Sequence, residues 1–83
     1  MSKTIMGIEI QSRHKSIQGF QKIISDFGCI INTRVGLHEA SKDVCSEKGL
    51  IILEFIEDAD KEVKEMEEQL ASIPDIIVKK MVF

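Results

Sequence analysis

Two apolar stripes with helical spacing, each set between runs of β-branched residues, constrain this chain more than any other feature. The stripes are Ile17, Phe20, Ile24 and Phe27, and then Val63, Met66, Leu70 and Ile73. Such spacing places the side chains on one face of an α-helix. Apolar runs at residues 5–10, 30–37, 50–56 and 76–83 lie before, between and after the stripes, and we interpret them as strands, the first beginning at Thr4. The predicted element order is therefore β-α-β-β-α-β.

Right-handed crossovers place both helices on the same side of the sheet. The sequence thus predicts an α+β, ferredoxin-like domain over residues 1–83, with a four-stranded antiparallel sheet in the order 4-1-3-2. Alternation along the strands predicts which residues face the helices: Met6, Ile8, Ile31, Val35, Ile51, Leu53 and Phe55. The uncovered face then carries Ile5, Gly7, Glu9, Ile30, Asn32, Arg34, Gly36, Leu50, Ile52 and Glu54, with Ile77 and Met81 joining it.

The predicted uncovered face is unusually apolar, and large exposed apolar patches mark interaction sites. A chain of 83 residues also buries only a modest core, which oligomerisation commonly supplements. We therefore expect a homodimer or higher oligomer. The predicted interface residues are Ile5, Ile30, Arg34, Leu50, Ile52 and Glu54.

Composition excludes several classes of function. The net charge is −3 and no basic stripe is visible, so we expect no direct binding of nucleic acid. No apolar run reaches the ~18–20 residues that a membrane span needs, and the N-terminus lacks a signal-peptide pattern, so we expect a cytoplasmic protein. Cys29 and Cys45 flank the predicted second strand, too far apart for a disulfide, and should be free thiols.

The chain resembles a known family over nearly its whole length. The second strand ends in Arg34-Val35-Gly36-Leu37, and the second helix closes on Leu-Ala-Ser-Ile-Pro-Asp at residues 70–75, ahead of Val78-Lys79. With the element order, these motifs resemble the small ACT-like regulators of iron-only hydrogenase systems. The resemblance implies a regulatory role through a small ligand or a partner protein, with no catalytic residues. Many ACT domains use a glycine in the first strand-helix loop to bind amino acids, but residues 11–16 contain none.

Topology places the first strand-helix loop and a long polar segment, residues 38–49, at one end of the sheet. Twelve residues are long for a hairpin connection, so we expect a binding loop there. The candidate ligand-binding residues are Arg13, His14, Arg34, Gly36 and His38. The alternative is a metal-responsive sensor that holds nickel or zinc with His14, His38 and Cys45.

No enzymatic activity and no cofactor are expected. Acylphosphatase shares the predicted element order, and Arg13 and Asn32 are superficially available for its chemistry. The glycine-containing phosphate cradle of that enzyme is absent, however, and a lone arginine cannot replace its backbone donors.

Overall fold

The computed structural model describes residues 3–11, 13–40 and 45–83, with the side chains of residues 13–17, 37–40 and 45–48 outside the description. The elements are β1 (Thr4–Ile10), α1 (Arg13–Asp26), a 3₁₀ turn (Gly28–Ile30), β2 (Ile31–Ala40), β3 (Cys45–Phe55), α2 (Asp60–Ala71) and β4 (Ile76–Val82). The strands form one sheet in the order β2-β3-β1-β4, and all neighbours are antiparallel. The predicted fold class and strand order are confirmed.

The core lies between the two helices and one face of the sheet. Phe20 and Ile24 of α1 are buried, as are Val63, Met66 and Leu70 of α2. These side chains meet those of β1 and β3, namely Met6, Ile8, Ile10, Leu53 and Phe55. Both helical stripes therefore pack as predicted, apart from Ile17, whose side chain lies outside the description.

The predicted loop over residues 38–49 is wrong. β2 and β3 continue to pair as far as Ala40 opposite Cys45, and only residues 41–44 connect them. β1 ends at Ile10, opposite Gly49, so the last residues of this hairpin extend past the sheet without a third strand beside them. An alternation of apolar residues marks a strand that has one face on a core, and the polar sequence of residues 38–49 shows no such alternation.

The predicted faces of β2 are also wrong from Thr33 onward. Ile31 pairs with Phe55 but Thr33 pairs with Glu54, so one extra residue, Asn32, forms a β-bulge. A one-residue shift moves every following side chain to the other face. Because of this bulge, Val35 lies on the uncovered face, whereas Arg34 and Gly36 lie on the helix side.

Ile30 does not belong to the uncovered face either. It lies in the 3₁₀ turn that precedes β2, and its half-buried side chain packs against the core. The alternation of a strand does not apply within such a turn, which is why the predicted place of Ile30 on the uncovered face is wrong.

Candidate functional site

The face of the sheet opposite the helices, called the open face below, is uncovered by any described element of the chain. Paired residues of antiparallel strands share a face, so the register assigns its members. The apolar members with described side chains are Ile5 of β1, Val35 of β2, Leu50 and Ile52 of β3, Ile77 and Met81 of β4, and Phe83 beyond it. Two central strands therefore carry apolar side chains on both faces, a pattern typical of a sheet that is buried on both sides.

The apolar side chains become more exposed toward β4. Ile5, Leu50 and Ile52 are half-buried by their neighbours. Ile77 is 46%, Met81 57% and Phe83 73% exposed. Large apolar side chains exposed side by side, rather than scattered singly, indicate a contact surface.

A polar cluster occupies one end of the open face. The Lys3 ammonium lies 2.6 Å from one carboxylate oxygen of Glu54, and the Thr33 hydroxyl donates a 2.7 Å hydrogen bond to the other. The hydrogen bond from Lys3, then that from Thr33, lowers the pKa of Glu54 below its usual value. The same hydrogen bond with Glu54 raises the pKa of Lys3. Glu54 is thus held as a paired carboxylate at this end of the open face.

An open depression of about 280 Å³ lies near the other end of the face. Gly7, Leu50 and Ile77 contribute its apolar lining, and Glu9 and Lys79 contribute one charge of each sign. The Gln11 amide donates a hydrogen bond to the Glu9 carboxylate. The depression can accept an apolar group of side-chain size with polar groups at its edge.

The structure places most of the predicted interface residues together. Ile5, Leu50, Ile52 and Glu54 all lie on the open face, in neighbouring positions of β1 and β3. Ile77 and Met81 join them as expected. Val35 and Phe83 were not predicted here: the bulge brings Val35 to this face, and the backbone hydrogen bonds between Lys3 and Phe83 extend the pairing of β1 with β4.

The candidate ligand-binding residues lie on the other side of the sheet. Arg34 places its guanidinium carbon 6.0 Å from the ring centroid of the buried Phe20, and Gly36 follows it along the helix side of β2. Arg13 and His14 belong to the first turn of α1, and His38 pairs with Gly49. Since Gly49 also pairs with Ile10, just before α1, the backbone confirms that both segments lie at one end of the sheet. The side chains of Arg13, His14 and His38 lie outside the description.

The predicted metal ligands His14, His38 and Cys45 also have side chains outside the description. Within the described part of the chain, no group of three or more histidine, cysteine or acidic side chains could hold a metal ion. Cys29 is a free, exposed thiol in the 3₁₀ turn. None of the helices described is long and apolar enough to cross a membrane.

These features define a small α+β domain of the ferredoxin-like, ACT-like fold class, with an uncovered apolar sheet face. Solved structures share this fold. The uncharacterized protein TM1266 from Thermotoga maritima is 20% identical, with a TM-score of 0.80, and the match covers 100% of this chain and 99% of that one. A dimeric ferredoxin-like protein from an uncultured marine organism is 6% identical, with a TM-score of 0.50 and coverage of 99% and 92%.

The fold also recurs inside a longer chain. A formyltetrahydrofolate deformylase from Pseudomonas putida KT2440 is 10% identical with a TM-score of 0.58; the match covers 95% of this chain but 28% of the deformylase. At these identities the likeness concerns the fold alone. No protein-family model and no curated protein matches the sequence, so membership of the iron-only hydrogenase regulators stays a prediction.

Proposed function

We propose that this protein is a small, non-enzymatic regulatory domain that assembles with copies of itself through the open face. The observation that best supports this assembly is a set of apolar side chains that extends across all four strands. It lies on a face that no described element covers. Burying such a face in a self-complementary contact removes apolar area from water, which is the dominant favourable term in association.

The proposed regulatory role includes binding a small ligand or a partner protein on the helix side of β2, beside α1. Arg34 supports it, because its exposed guanidinium is held against Phe20 on the helix side of β2, next to the open backbone at Gly36. The resemblance of Arg34-Val35-Gly36-Leu37 and of the turn at residues 70–75 to regulators of iron-only hydrogenase systems supports placing the protein in such a system, in the cytoplasm.

Sedimentation velocity at tens of micromolar tests the assembly. We expect the wild type to sediment as a dimer or higher oligomer, and Ile52→Asp to sediment as a 9.4 kDa monomer, because a charge is introduced into the contact. Val82→Asp is the matched control: Val82 is 63% exposed but lies on the helix side of β4, so this variant should assemble like the wild type. A monomeric wild type, or an Ile52→Asp variant that assembles normally, contradicts the proposal.

Native mass spectrometry of the purified protein tests the ligand role in the same sample. A small molecule bound by the wild type and lost in Arg34→Met supports it. Nickel or zinc bound tightly by the wild type and lost in Cys45→Ser supports the metal sensor instead. The link to an iron-only hydrogenase system is tested by deleting the coding sequence in a host that has such a hydrogenase. Unchanged hydrogenase activity and expression would contradict this link.

A further inference from the structure

Gly7 occupies the centre of the open face, on the central strand β1, yet the monomer does not need a glycine there. Its φ angle is not positive, so its backbone conformation is one that other residues adopt. A Cβ atom built on Gly7 meets only the Ile52 Cδ1 atom at 3.8 Å and the Lys79 carbonyl oxygen at 4.0 Å, both ordinary contacts.

A glycine in the interior of a strand weakens the strand, since it loses more backbone entropy on folding and offers no side chain to pack. Such a position often marks a close approach by another molecule. At Gly7, the missing side chain opens the depression that Leu50 and Ile77 flank. The position at which glycine weakens β1 is thus the position at which the open face forms a depression.

We propose that Gly7 forms a socket that receives an apolar side chain from a second copy of this chain. The inference rests on the proposed assembly through the open face and specifies how that contact is built. The protruding apolar side chains of the same face, Met81 and Phe83, provide candidates for the inserted group.

Charge favours a second copy as the occupant. The chain as a whole carries a net charge of −3. Among the residues with described side chains, the charged ones on the open face are two of each sign, Lys3 and Lys79 with Glu9 and Glu54. These four charges sum to zero, so the open face does not carry the net negative charge of the chain. Because Glu9 and Lys79 both border the socket, each copy offers one charge complementary to the other copy.

The experiment measures the association constant by sedimentation velocity over a concentration series, and the thermal midpoint at the lowest concentration. Gly7→Val fills the socket and should lower the association constant at least tenfold, while the midpoint of the dilute protein stays equal or rises. Gly49→Val is the matched control, because Gly49 lies on the helix side of β3 and its added Cβ meets nothing within 4 Å. Gly7→Ala, which adds one methyl group, should lie between the wild type and Gly7→Val.

Each alternative result overturns the inference in a different way. If the wild type is a monomer, the proposed assembly fails and the socket fails with it. If the wild type assembles and Gly7→Val assembles as tightly as Gly49→Val, the socket alone is wrong. A lowered midpoint for dilute Gly7→Ala shows that glycine serves the fold. A small molecule bound by the wild type and displaced in Gly7→Val, with association unchanged, shows that the occupant is a ligand.

Discussion

Both faces of this sheet carry apolar side chains, but the two faces meet different surroundings. On the helix side, Met6, Leu53 and Phe55 are completely buried by α1 and α2. On the open face, Ile5 and Ile52 are only half-buried, although they alternate with those core residues along the same strands. Burial is therefore set by the layer that covers a strand and not by the hydrophobicity of the strand itself. An uncovered apolar face of this kind is typical of a contact surface.

The largest expected effect is a difference in stability between substitutions on the two faces of the monomer. Phe55→Ala should lower the free energy of unfolding by about 3–5 kcal/mol, because it leaves a cavity in a closed core. Ile52→Ala should cost only about 1 kcal/mol, since the side chain is half-buried in a single copy. Urea denaturation at low micromolar concentration measures both. Equal losses would mean that the open face is covered within one chain.

A smaller effect sharpens the assignment of β2 to the two faces. Arg34→Met should lower the free energy of unfolding by about 0.5–1 kcal/mol, because it removes the cation–π contact with Phe20 while keeping an unbranched apolar chain. The association constant should not change, since the β-bulge places Arg34 on the helix side. Weakened association with unaltered monomer stability would place Arg34 in the contact instead.

The smallest effect is a pH dependence at the polar end of the open face. The pKa of Glu54 is lowered by Lys3 and Thr33, so its contribution to stability is complete above the ordinary carboxylate value of about 4.3 and is lost as the pH falls through the lowered value. The unfolding free energy of the wild type should therefore decrease more steeply below pH 4.3 than that of Glu54→Gln.

Thr33→Val provides the graded control for this dependence, because it removes one of the two hydrogen bonds to Glu54. Its slope with pH should lie between those of the wild type and Glu54→Gln. Parallel curves for all three proteins would mean that the cluster does not hold the carboxylate in solution. The comparison of the two faces would then rest on their apolar residues alone.

The sequence by itself determined the element order, the two packed helical stripes and the strand order, because these depend on local periodicity and on the general handedness of crossovers. It also placed Ile5, Leu50, Ile52 and Glu54 together, since β1 and the second half of β3 alternate without interruption. These parts of the fold and of the candidate site follow from side-chain spacing within single segments.

Only the tertiary structure decided the faces of β2, the length of the β2–β3 hairpin and the role of Ile30. The bulge at Asn32 is a property of the pairing between two strands, and nothing in the local sequence marks the extra residue. The hairpin extends to Ala40 and Cys45 through backbone pairing, and this pairing leaves no apolar alternation in the sequence by which it could be predicted. One inserted residue thus moved Arg34 to the helix side and Val35 to the open face, because side chains on a strand alternate with a period of two.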